Sequence, residues 1–191
     1  MSNGVYYTAT TLDGYIADEH DSLEWLFKQD DDESGPLNYH EFITTVGALA
    51  MGATTYEWIR ARIEEGREGG WAYTQPTWVF THRKLPPIDG ADIRFVSGPP
   101  AEVWPALSEA AGDRDVWVVG GGDLAGQFAE AGYLQTVITS IAPVTLGAGR
   151  PLFPRRYDLS LAEVHRSGSF IAARFDVLGP LDDAAAAAGT T

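Results

Sequence analysis

Asp115-Val-Trp-Val-Val-Gly-Gly-Gly-Asp-Leu-Ala-Gly-Gln-Phe128 most constrains what this chain can become. Its first half is a short apolar run rich in β-formers, which predicts a buried strand at Val116 to Val119. Three glycines follow, then Asp123 and the helical spacing Leu124, Phe128, Ala131. Strand, glycine turn and helix imply one unit. Without a Cβ the turn lets a ligand approach the backbone, and a helix start presents free N–H groups to an anion. By itself the motif reads equally as an anion cradle and as a tight turn with no ligand.

The other segments repeat the pattern. Strands are expected at Val5 to Thr11, Ala48 to Met51, Trp78 to Thr81, Ile93 to Val96 and Leu134 to Ile141. A hairpin is expected from Leu161 to Arg166 and Phe170 to Val177 around Gly168. Helices are expected over Ser22 to Phe27, Leu37 to Val46, from Thr54 or Thr55 (either as N-cap) through Ile63, and over Pro100 to Ala111. Pro143 to Phe153 reads as an irregular loop, and the stretch after residue 181 as a frayed alanine-rich tail. Strands alternating with helices imply a three-layer αβα domain over residues 1–181, with a mostly parallel sheet and an antiparallel C-terminal hairpin. Ligands of such sheets sit beyond the carboxyl ends of the strands. Three junctions meet that condition: Gly52 to Thr55, Thr81 to Lys84 and Gly120 to Leu124.

Charge narrows the function classes. The formal net charge is −14 over 191 residues, so nucleic acid and anionic membranes are excluded as expected partners. Residues 18 to 36 hold eight acids against Lys28 alone and read as a mobile, solvated loop. Against that background, His82-Arg83-Lys84 is a basic cluster at a strand end. There is no cysteine, hence no disulfide, thiolate metal site or Cys nucleophile. His20 and His165 are isolated, so no metal site is expected. Met1-Ser-Asn-Gly leads directly into a strand without a secretory pattern, and a cytoplasmic protein is expected.

Five segments together resemble the dihydrofolate-reductase-like superfamily, and within it the C-terminal reductase domain of riboflavin-biosynthesis deaminase–reductases. They are Thr11 to Ala17 (TLDGYIA), Met51 to Glu57 (MGATTYE), Val79 to Arg83 (VFTHR), Val118 to Gly122 (VVGGG) and Pro143 to Phe153 (PVTLGAGRPLF). The resemblance implies NADPH as cofactor, NADH remaining open, and hydride transfer to a C=N or C=O group of a small substrate. It implies that Gly52, Thr54 and Thr55 hold cofactor phosphates. Gly120, Gly121, Gly122, Asp123 and Leu124 would cradle the pyrophosphate and nicotinamide ribose, and Thr81, His82 and Arg83 the adenosine 2′-phosphate. Asp13, in the loop over the active site, and Thr139, on the long strand, are its candidate catalytic groups. Asn38 and Phe42 are its candidate substrate contacts. Where folate-reducing relatives carry an acid, aligning on Phe42 puts Asn38, which cannot transfer a proton; Glu41 is the alternative. Ala53 replaces the basic residue many relatives carry. A ribose phosphate on the substrate would need Arg or Lys, and Arg150 is the candidate. The expectation is a stand-alone reductase of an unphosphorylated substrate, with a homodimer through the final hairpin. The alternatives are the 5-amino-6-(5-phosphoribosylamino)uracil reductase of riboflavin biosynthesis and a nucleotide-binding protein without turnover.

Overall fold

The computed structural model describes residues 2–32 and 34–182. Eight strands form the central sheet in the order β5-β4-β3-β6-β1-β7-β10-β9. Six run parallel: β5 (Ile93–Val96), β4 (Thr77–Phe80), β3 (Val46–Gly52), β6 (Asp115–Gly120), β1 (Gly4–Thr11) and β7 (Leu134–Ala142). The antiparallel pair β10 (Phe170–Pro180) and β9 (Tyr157–Ser167) closes the sheet beside β7. Parallel neighbours need crossovers, and the helices supply them, so both faces are covered. Strand alternation divides the core. Ala48, Ala50, Val116 and Val118 pack under α4 (Pro100–Ala111) and α5 (Gly122–Glu130) with Leu107 and Phe128. Leu49, Met51 and Trp117 pack under α2 (Tyr39–Thr45) and α3 (Ala53–Glu64) with Phe42 and Tyr56. This is the expected three-layer arrangement.

Several local expectations are corrected. The helix predicted over Leu37 to Val46 is shorter. Asn38 is its N-cap, Leu37 has φ 62°, and Val46 already belongs to β3. Neither Thr54 nor Thr55 caps α3; both lie in its first turn, after an N-cap at Gly52 that makes no side-chain bond. The 143–153 loop is not wholly irregular. Its two-residue strand β8 (Arg150–Pro151) pairs antiparallel with β2 (Tyr15–Ala17) in a ribbon apart from the main sheet. The short helix α1 covers only Glu24–Phe27. The acidic stretch is tied to the hairpin rather than loosely solvated: the Ser169 N–H donates to the Asp30 carbonyl, and the Ser167 hydroxyl to Asp31. Glu33 of that stretch, and residues 183–191 of the expected tail, lie outside the described residues. No helix among the described residues is long and apolar enough to cross a membrane.

Candidate active-site cleft

A cleft of about 720 Å³ lies across the carboxyl ends of five consecutive strands. That volume is typical of a small-molecule site. From β5 to β1 the sheet covers four inter-strand spacings, about 19 Å. The strand order therefore places the lining residues in sequence along the cleft. Ser97 and Gly98 follow β5, Thr81 and His82 follow β4, and Gly52, Thr54 and Thr55 follow β3. Gly120 to Leu124 follow β6. At the far end, Thr8 of β1 is joined by Ile16 and Ala17 of β2 and by Arg150 of β8.

Two helices, α3 and α5, begin in the middle of this cleft. Their N-caps, Gly52 and Gly121, make no side-chain hydrogen bond to the first turn. The leading N–H groups are thus left to whatever occupies the cleft, and each helix end adds a partial positive charge of about half a unit. The two glycine positions have room. A Cβ on Gly52 would meet nothing nearer than the Gly120 carbonyl oxygen at 3.8 Å, and one on Gly121 nothing nearer than Ile16 Cδ1 at 3.8 Å. Gly52 has φ −80° and ψ 164°, a backbone any residue adopts. The peptide between Gly120 and Gly121 is cis. Gly122 differs: its Cβ would lie 2.3 Å from the carbonyl oxygens of both Pro151 and Leu152. There the fold itself demands glycine.

Charge in the cleft is already partnered. Asp21 receives two bonds from Arg150, Nε to Oδ1 at 2.6 Å and Nη2 to Oδ2 at 3.1 Å. Asp123 accepts from Arg155 at 2.9 Å and from Gln127 at 2.8 Å. The Gln127 bond first, and Arg155 next, hold its carboxyl below the usual range. Part of the lining is apolar and aromatic: Leu23, Trp58, Ile59 and Tyr73. Burial raises the Tyr73 phenol well above its ordinary value, so it keeps its proton.

Of the site residues read from the sequence, the glycines, Thr54, Thr55, Thr81, His82, Asp123 and Leu124 all line this cleft. Five others do not. Arg83 forms a two-bond ion pair with Glu57, at 3.0 and 2.6 Å, and of the basic cluster His82 alone is among the described lining residues. Asp13 is a loop clamp: its carboxylate accepts from the Thr11 hydroxyl at 2.5 Å and from the N–H groups of Leu146 at 3.0 Å and Gly147 at 2.7 Å. The Thr11 bond first, and those amides after it, lower its pKa. Thr139 is buried, its hydroxyl unpartnered, in register with Thr8 but outside the cleft lining. Asn38 has its side chain consumed by helix capping, donating to the Gly35 carbonyl and accepting from the Glu41 N–H. Phe42 is buried, with its ring stacked on Tyr7 at 4.3 Å. Both line a separate cavity between α2 and the C-terminal hairpin.

Sequence reasoning missed Ser97, Tyr73 and the role of Asp21. Ser97 was findable, because it follows β5 as His82 follows β4. Tyr73 arrives from the long connection between α3 and β4, where no periodicity marks it. Asp21 is one acid among eight until the fold pairs it with Arg150.

Comparison with known proteins identifies the family and the fold. Residues 64–171 match the family described as RibD C-terminal domain. The uncharacterized protein YwjB of Bacillus subtilis (strain 168) is 29% identical over 150 residues, covering 78% of this chain and 81% of YwjB. A Shewanella sp. PV-4 protein named for riboflavin biosynthesis has a similar structure, with TM-score 0.77, 20% identity, and coverage of 92% of this chain and 99% of that one. Dihydrofolate reductase from Enterococcus faecalis, solved with NADP(H), shares the fold more distantly, at TM-score 0.53 and 13% identity over 92% of this chain and 96% of that one. The chain has the dihydrofolate-reductase-like fold and belongs to the RibD C-terminal domain family, a reductase-type family.

Proposed function

We propose that this protein is an NADPH-dependent reductase that transfers hydride to a C=O or C=N group of a small substrate. The observation that carries the reading is the pair of uncapped helix starts facing one cleft, both with an N-cap glycine, Gly52 and Gly121, that has room for a side chain. A missing Cβ at Gly52 serves an occupant pressed against the backbone, and the N–H groups of α3 and α5 suit a pyrophosphate there. A bound nicotinamide would supply the hydride. Everything else falls to the chain. The hydroxyls of Thr54 and Thr55 add donors at the phosphates. Thr81, His82 and Ser97 form the polar end at β4 and β5, suited to a 2′-phosphate. The reacting end is then at β1, against Tyr73 and Trp58. The protonated Tyr73 phenol is the lining group fitted to donate a hydrogen bond to the oxygen or nitrogen that gains charge. Asp13, outside the cleft lining and engaged by Thr11 and the 146–147 amides, is not the acid in this reading.

Calorimetric titration with NADPH and NADH tests the cofactor. Micromolar NADPH binding, with NADH weaker, is expected, and His82→Ala should narrow the difference. If neither nucleotide binds, the reading fails and a protein without turnover replaces it. Tyr73→Phe should lower kcat roughly ten- to a hundredfold with nucleotide affinity unchanged. The exposed leucines of the hairpin, Leu159, Leu161 and Leu178, support a homodimer, which sedimentation at two concentrations would test.

A further inference from the structure

The reacting end of the cleft carries a second message, resting on the reductase reading for which end receives substrate. Among the described lining residues Arg150 is the single Arg or Lys. At this end, away from the two helix starts, it is the lining group that would recognise a phosphate or carboxylate on a substrate, since a guanidinium fork binds such groups through two parallel bonds. Asp21 already occupies that fork with both oxygens. The pairing is built, not incidental. Asp21 sits at φ 60°, with its N–H on the Asp18 carbonyl. Asp18 in turn is held by the N–H groups of His20 and Ser22, both at 2.8 Å. Arg150 is fixed by the register of β8 on β2. An entering anion would have to displace a pre-positioned carboxylate and then lie beside it. The cleft lining as a whole holds two carboxylates against one guanidinium.

The remaining surface at this end is flat and apolar. Trp58 stacks on Phe27 at 6.5 Å, and the Arg62 guanidinium lies over both rings at 4.8 and 4.9 Å. The indole is thereby packed against Phe27 and Arg62, and Leu23 and Ile59 line the cleft with it. We propose that this end of the cleft takes a flat, unphosphorylated substrate, neutral or cationic, and that Asp21 sets this selectivity by keeping the Arg150 guanidinium occupied. Asp21 is thus a specificity-determining residue acting through Arg150.

Three bicyclic probes of one shape isolate the charge: naphthalene-2-carboxamide, naphthalene-2-carboxylate and 2-naphthamidine. Their affinities are measured by tryptophan fluorescence, with NADPH present and again with no nucleotide. The carboxamide and amidine should bind the wild type at least tenfold more tightly than the carboxylate. Asp21→Asn keeps the left-handed backbone, which Asn tolerates as well as Asp, and frees the guanidinium. It should tighten carboxylate binding about tenfold and invert the order. Arg150→Gln should leave the carboxylate weak and strengthen the amidine against an unpaired Asp21. Melting curves of both variants are expected to stay within a few degrees of wild type, because the pair is solvent-exposed. The proposal is overturned if the carboxylate binds the wild type as well as the carboxamide, if no probe binds, or if Asp21→Asn leaves the order unchanged. The reductase reading falls by a separate result, failure to bind NADPH; the probe order without nucleotide still decides the role of Asp21.

Discussion

The two helix starts in the cleft look alike and are held by different forces. At α5, glycine is a packing requirement in the first helical position, Gly122, though not at the N-cap Gly121. The carbonyls of Pro151 and Leu152 press on Gly122, Arg155 lies over Gly126, and the same Arg155 bonds Asp123 and Glu130 at 2.9 and 2.7 Å. The segment after β8 thus straps the helix down along two turns. At α3 no comparable strap among the described residues covers the start. Gly52 and Ala53 face the cleft, and Gly52 has space for a side chain it does not carry. At Gly122 the protein's own packing explains the glycine, and at Gly52 and Gly121 it does not. The lesson is to ask, at each glycine, what its Cβ would strike.

The strongest way to break this comparison is Gly122→Ala. A methyl at 2.3 Å from two backbone oxygens cannot be relieved by a side-chain shift. Overpacking of this kind costs about 3 kcal/mol or more, a fall of roughly 6–12 °C in Tm for a chain of this size. Calorimetric unfolding would read it, and an unchanged Tm would show that the strap is loose. Gly52→Ala should do the reverse. A small N-cap penalty and a gain from a stiffer unfolded chain roughly cancel, within about 0.5 kcal/mol. NADPH affinity should nevertheless fall about tenfold, because the methyl enters the cradle. If affinity holds, Gly52 has no ligand-contact role.

The strap itself titrates. The Asp123 carboxyl is depressed by Gln127 and then by Arg155. Its stabilisation is therefore fully present above the unfolded carboxylate value near pH 4, and is lost as pH falls through the lower folded value. Melting curves of wild type and Asp123→Asn should differ at neutral pH and converge in acid, once pH has fallen through the lowered folded value. Curves that stay parallel would exclude the bridge as a contributor. The smallest effect is expected from Arg83→Ala. Its pair with Glu57 is exposed, worth at most about 1 kcal/mol, and the ratio of NADPH to NADH affinity should not move. A narrowed ratio would return Arg83 to the nucleotide site.

Much of the site was legible in the chain itself. β-rich runs ending in Gly52, Thr81 and Gly120 predict strand ends, and strand ends in a parallel sheet meet at one edge. Hydrophobic period and glycine position are local properties, and local properties survive in a sequence. Side-chain direction and charge partnership do not. Arg83 follows His82 directly, yet Glu57, 26 residues earlier, draws it out of the cleft. Asp13 has the chemistry of an acid, but the amides that claim it come from a loop more than 130 residues away. Asn38 resembles a substrate contact until helix capping takes its amide on both sides. Arg150 resembles a phosphate ligand until the ribbon of β2 and β8 sets it against Asp21. The sequence alone determined the layered parallel fold and which strand ends line its cleft, because both follow from periodicity and turn chemistry. Which ionisable groups face that edge unpaired was decided by tertiary structure, because a charge is satisfied by whatever partner folding brings within about 3 Å.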